Sequence, residues 1–144
     1  MYIKYFYSPF IYVMTGGMKI RIEAEVYPTE SSEKVIQAAK NLFPTINFYL
    51  EDRGGVQIVV GEGAGLESLE NLKNMFRNRR IRAAARSILR QSNLNGRMVF
   101  HMNKQAAYAR QASFTEPFTE SPLPPIKVEV EADDIDKLIE WLTE

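Results

Sequence analysis

The sequence predicts an α+β fold, a mostly antiparallel sheet with helices packed on one face. Three observations carry this. Two stretches near the ends of the chain alternate apolar and polar residues strictly, as half-buried strands do. Apolar residues at helical spacing lie between them, and the element order β-α-ββ-α-α-β-α-β-β-α has hairpins and long returns in place of regular βαβ alternation.

The first strand runs from Lys19 to Val26, where Ile20, Ile22, Ala24 and Val26 alternate with Lys19, Arg21, Glu23 and Glu25. After Pro28, with Ser31 and Ser32 as candidate caps, Val35, Ile36, Ala39, Leu42 and Phe43 recur at helical spacing until Pro44 stops them. Phe48 to Glu51 and Val56 to Val60 flank Asp52-Arg53-Gly54-Gly55, which reads as a hairpin turn. Leu66, Leu69, Leu72 and Phe76 mark a second helix, and Ile81, Ala84, Ala85, Ile88 and Leu89 a third, ended by Gly96. Met98 to Met102 reads as a strand, Lys104 to Ala109 as a short helix, and Ala112 to Thr115 as another strand. The proline-rich stretch from Glu116 to Pro125 is a loop. Ile126, Val128 and Val130 alternate with Lys127, Glu129 and Glu131 in a last strand, and Asp133 is the candidate cap of a final helix with Ile135, Leu138, Ile139 and Leu142 on its apolar stripe.

A chain of 144 residues, 45% apolar and 25% charged, is the size and composition of one globular domain. The expected organisation is an N-terminal aromatic extension over residues 1–17 and one α+β domain over residues 18–144. The extension crowds Tyr2, Tyr5, Phe6, Tyr7, Phe10 and Tyr12 ahead of Gly16 and Gly17. Its apolar run is too short for a membrane span and is broken by Pro9, so it reads as a strand or flap packed on the domain, or as the contact of a homodimer. With no cysteine, disulfides, thiolate catalysis and sulfur-ligated zinc are excluded, and the simplest location is the cytoplasm.

The formal net charge is zero, yet the charges are segregated. From Asn71 to Thr115 there are ten positive residues and no negative one, while the rest of the chain has eight positive and eighteen negative. On a helix, Arg79, Arg82, Arg86 and Arg90 fall within an arc of about 80°, opposite Ile81, Ala84 and Ile88. Solvated helix faces normally mix signs, whereas Arg82, Arg86 and Arg90 repel one another at their spacing. Arginine matches phosphate bidentately and stacks on bases, so this face is expected to bind RNA; a plain solvated face is the other reading.

The other motifs are weaker. Gly61-Glu62-Gly63-Ala64-Gly65 lacks the spacing of a dinucleotide loop and the lysine of a phosphate loop, and Glu62 opposes phosphate, so it reads as a flexible connection. His101 is the sole histidine and stands between Phe100 and Met102, as a buried or edge residue. The acidic group Glu129, Glu131, Asp133, Asp134 and Asp136 fits capping and solvated positions better than a metal site. No catalytic residue, metal or cofactor is assigned.

The string Asn103-Lys104-Gln105-Ala106-Ala107-Tyr108, with Ser113-Phe114 and Ser121-Pro122-Leu123, resembles an uncharacterised archaeal protein family labelled RNA-binding. Arg21-Ile22-Glu23-Ala24-Glu25-Val26, Pro28-Thr29-Glu30 and Asn41-Leu42-Phe43-Pro44 are similar to the opening of the same family. The resemblance covers Met18 to Leu142 and implies a fold similar to that of the large-subunit ribosomal protein that binds five-S ribosomal RNA. Arg110 and Pro124 depart from it, standing where glycine is expected. Within the matched string, Asn103, Lys104 and Gln105 read either as a polar cluster contacting RNA or as a helix cap with Tyr108 in the core.

The sequence thus leads to a non-enzymatic protein that binds structured RNA through Arg79, Arg82, Arg86, Arg90, Arg97, Asn103, Lys104, Gln105 and Arg110. A protein-interaction or assembly domain is the alternative, with the aromatic segment as its contact surface.

Overall fold

The computed structural model describes residues 17–78, 80–117 and 123–144. Residues 1–16 of the aromatic extension, Arg79 and the Ser121-Pro122 pair lie outside the described residues. The strands are β1 (Lys19–Val26), β2 (Phe48–Arg53), β3 (Val56–Ala64), β4 (Asn93–Leu94), β5 (Arg97–Met102), β6 (Phe114–Thr115) and β7 (Ile126–Glu131). The helices are α1 (Ser32–Leu42), α2 (Glu70–Asn78) preceded by a 3-10 turn at Leu66–Leu69, α3 (Arg82–Ser92), α4 (Lys104–Tyr108) and α5 (Ile135–Leu142). The strands form one antiparallel sheet in the order β2-β3-β1-β7-β5-β4, with β6 also on β5. The α+β class and the antiparallel sheet are those read from the pattern.

Alternation sets which side of each strand is buried. Ile20, Ile22 and Ala24 of β1 lie in register with Val130, Val128 and Ile126 of β7, and these with Met98, Phe100 and Met102 of β5. All are buried, beneath Leu42 of α1, Leu72 and Phe76 of α2, Leu89 of α3 and Leu138, Ile139 and Leu142 of α5. Phe114 of β6 closes one side, its ring stacked on Phe76 at 5.4 Å and tilted against Phe100 at 5.8 Å. The opposite face of the sheet carries the charged partners of the alternation, and no described helix lies on it.

The two margins of the sheet differ. On one, β2 spans six residues and pairs only with β3 among the described residues. On the other, the outer side of β5 is met at Arg97 and Met98 by β4 and at His101 and Met102 by β6.

Several details depart from the sequence reading. Helix α3 buries Ala85 and Leu89, while Ala84 and Ile88 are exposed. Its packing stripe is therefore turned by one residue, about 100°, and the arginine arc flanks that stripe instead of standing opposite it. Gly96 does not end this helix. Asn95 (φ 54°) and Gly96 (φ 78°) form the two-residue turn between β4 and β5, where both positions need positive φ. The cap of α5 is Asp134, not Asp133, its carboxylate accepting from the Lys137 amide at 3.1 Å.

The glycine-rich stretch is not a connection either. Gly61 and Gly63 are inside β3, paired with Ile22 and Ile20. A Cβ on Gly61 would stand 2.5 Å from the Phe48 ring and 2.8 Å from Ile46, and one on Gly63 2.9 Å from Ser68 Oγ. These glycines make room for the core beneath the strand, which is a packing role.

Candidate nucleic-acid interface

The acid-free segment begins on α2 and turns into α3 through a tight connection. Arg80 adopts φ 58°, its amide donating to the Arg77 carbonyl at 3.3 Å, and the Ile81 amide donates to Phe76 at 3.2 Å. Helix α3 then starts with no side-chain cap and no acidic residue in its first turn. Its first amides are left without side-chain acceptors at the positive end of the helix, beside Arg80 and Arg82.

Four cations of the segment have partners within the protein. Arg86 is half-buried on the flank of α3, where its Nε donates to Thr143 Oγ1 at 3.0 Å and its Nη2 to the Thr143 carbonyl at 2.8 Å. Lys73 of α2 donates to the Trp141 carbonyl at 2.9 Å, reaches Glu144 at 3.4 Å and lies 5.2 Å from the centre of the Trp141 ring. Two cations thus satisfy carbonyls at the C-terminal end of α5, where the helix dipole favours positive charge. Lys104 is only 5% exposed, and its ammonium donates to the Glu25 carbonyl at 2.7 Å and to Glu30 Oε1 at 3.0 Å. Burial pulls its pKa below the ordinary lysine value, partly offset by the hydrogen bond it donates to Glu30. Arg97 pairs with Glu129 on the neighbouring β7.

Asn103 is a helix cap, its Oδ1 accepting from the Ala106 amide at 2.8 Å. Gln105 and Tyr108 are exposed, so Tyr108 is not in the core. Arg110 follows α4 with φ 63°, in the left-handed region. That backbone is the physical content of the glycine expected there, and arginine holds it at a cost of about 1 kcal/mol. Nothing in the structure explains Pro124.

Arg77, Arg80, Arg82, Arg90 and Arg110 are exposed, and their side chains make no ion pair or hydrogen bond among the described residues. Of the residues singled out by sequence, the structure leaves Arg82, Arg90, Gln105 and Arg110 available and engages Arg86, Arg97, Asn103 and Lys104. Arg77 and Arg80 join the available set. Their membership of the acid-free segment was the signal for them, since they lie off the α3 stripe.

The opposite sheet face has another character. Arg21 pairs with Glu23 at 2.8 Å and Glu62 at 3.0 Å, and Arg53 with Glu23 at 3.0 Å and with Glu51. Hydrogen bonds donated to Glu23 and then to Glu51 raise the Arg53 pKa. His101 is on this face, opposite Lys127 in register, and burial followed by the Lys127 charge pushes its pKa down, with Glu116 opposing. Among the described residues no group of three His, Asp or Glu side chains is placed to hold a metal ion, and no helix is long and apolar enough to cross a membrane.

Residues 19–132 match a family model described as RNA binding. The chain is 43% identical over 125 residues to a UPF0201 protein of Sulfurisphaera tokodaii, covering 87% of this chain and 86% of the relative. It is 39% identical over 124 residues to one of Thermococcus onnurineus, covering 86% and 90%. Among solved structures it resembles the UPF0201 protein of Methanococcus jannaschii, with a TM-score of 0.78 and 31% identity over 88% of this chain and 99% of the other. A protein of Archaeoglobus fulgidus shares the fold, with a TM-score of 0.65 at 22% identity. With the family model spanning the whole sheet and relatives of this similarity aligned over most of their length, the chain belongs to the UPF0201 family of archaeal proteins and to the family whose model is described as RNA binding.

Proposed function

We propose that this protein binds structured RNA without catalysing a reaction, holding phosphates on the exposed arginines of the acid-free segment. The observation that carries the reading is that Arg77, Arg80, Arg82, Arg90 and Arg110 are exposed and unpaired among the described residues, in a stretch with no carboxylate to neutralise them. Exposed guanidinium groups without acidic neighbours repel one another, so an external polyanion stabilises them, and their planar forks suit phosphate. The uncapped start of α3 adds backbone amides at the same end. Arg86 instead ties α3 to the end of α5, Lys104 ties α4 to Glu25 of β1 and to Glu30, Asn103 caps α4, and Arg97 pairs β5 with β7. The cytoplasm and the ribosomal-protein-like fold implied by the sequence resemblance accord with this role.

The test is salt-dependent binding. Each phosphate contact contributes about 0.7 to 0.9 to the slope of log affinity against log salt, taking single-strand and DNA-duplex figures as the bounds. Replacing Arg82, Arg90 and Arg110 together by Gln should therefore flatten the slope by roughly two to three units. Lys127→Gln with Lys137→Gln, two exposed cations outside the segment, should leave it unchanged. A wild-type chain that binds no RNA in low salt, or a triple variant with an undiminished slope, would overturn the proposal in favour of an assembly role.

A further inference from the structure

Between the start of α1 and α4 lies a cleft of about 410 Å³ whose lining includes Glu30, Val35, Ala38, Lys104, Gln105 and Tyr108. Its polar centre is the Lys104–Glu30 pair. Lys104 has three N–H donors and uses two, on Glu25 and Glu30. Glu30 accepts both the Lys104 ammonium and the Tyr27 amide on Oε1, the latter at 3.0 Å. Its side chain is 9% exposed, and no fully buried side-chain oxygen among the described residues lacks a partner. Oε2 therefore keeps contact with accessible space, and the cleft is the space that Glu30 lines.

The site thus offers a donor beside an acceptor on a buried ion pair, above the buried apolar side chains Val35 and Ala38. The adjacent carboxylate repels a phosphate at this depth. A flat, neutral group with donor and acceptor atoms side by side on its edge fits instead, and every RNA base has such an edge. Tyr108, 48% exposed, supplies an aromatic ring at the same cleft, Gln105 supplies an exposed amide, and the exposed cation Lys34 also lines it.

We infer that this cleft receives one unpaired RNA base, stacked on Tyr108 and bonded at its edge by Lys104 and Glu30. The inference rests on the RNA-binding reading above and adds to it a requirement for unpaired bases that the arginines alone do not impose.

Anisotropy titrations of the full chain with a single-stranded RNA, and with the same sugar-phosphate backbone lacking its bases, separate the two readings. The wild type should prefer the base-bearing strand about tenfold, the loss expected when one stacked base is removed. Tyr108→Ala should abolish that preference without changing the salt slope, and Tyr108→Phe should retain it. Both substitutions are at an exposed position, and unchanged thermal melts would establish that the fold is intact. Equal binding of both strands by the wild type, or a preference that survives Tyr108→Ala, overturns the base cleft and leaves the arginine surface standing. Binding of neither strand also overturns the base cleft, and the salt-slope titration with structured RNA then decides the arginine surface by itself.

Discussion

The two sides of the sheet use arginine differently. On the open face, Arg21, Arg53 and Arg97 each pair with glutamates of the same sheet, and the charge is cancelled where it arises. On the helical side, no acid lies within the segment that supplies Arg82, Arg90 and Arg110, and among the described residues its engaged cations bind backbone carbonyls, one hydroxyl, the Trp141 ring and acids from distant segments. A zero net charge conceals this division. The useful quantity is which cations have an internal oxygen to bind and which do not.

The strongest way to sharpen that contrast is to remove a cation that is buried against an internal carboxylate. Lys104→Met would leave the Glu30 carboxylate buried without its partner, and it should lower unfolding free energy by about 3 to 5 kcal/mol in chemical denaturation. A loss below about 1 kcal/mol would mean that the pair is solvated and that Lys104 belongs with the available cations.

Arg86→Gln should have the next largest effect, about 1 to 2 kcal/mol, because two charge-assisted bonds to Thr143 are lost at the end of α5. Hydrogen exchange at the last turn of α5 would show the loss locally. Faster exchange spread over the whole sheet would instead place Arg86 in the global core.

A smaller effect is expected on the open face. The hydrogen bond from Arg53, helped by Arg21, holds the Glu23 carboxyl below the ordinary value of 4.5 against the opposing effect of burial. A depressed folded pKa means that the unfolded chain binds more protons, so the stabilisation is complete above about 4.5 and is lost as pH falls through the folded value. Glu23→Gln should cost no more than about 1 kcal/mol at neutral pH and should reduce the slope of stability against pH in that acid range.

The smallest effect is expected where the cations are unpaired. Arg82→Gln and Arg90→Gln should each change stability by less than about 0.5 kcal/mol. A larger loss would reveal an internal partner and blur the division between the two sides.

How much of this was legible in the sequence depends on the range of the interaction. Strands β1 and β7 were plain because alternation is local, and Pro44 marked the stop after α1 in the same way. The packing stripe of α3 was misplaced by one residue because Ala84-Ala85 and Ile88-Leu89 are adjacent apolar pairs, and only the neighbouring elements select Ala85 and Leu89. Lys104 looked available because its acceptors, Glu25 and Glu30, are far away in the chain. Gly61 looked like a loop residue because nothing nearby in sequence announces the Phe48 and Ile46 side chains packed against it. The acid-free segment was legible as a composition, but which of its arginines are available depended on where α5 ends.

The unequal margins of the sheet bear on how the protein stays separate from others in a crowded cell. The flank of β5 is obstructed at both ends by two-residue strands, which leaves no long ladder of backbone groups there for a foreign strand to dock on. The six-residue β2 presents the longer rail, with Tyr49 and Leu50 exposed along it. Charges at Glu51, Asp52 and Arg53 interrupt that rail at its hairpin end, so protection against runaway sheet extension is structural on one side and electrostatic on the other. High salt weakens only the second of these guards.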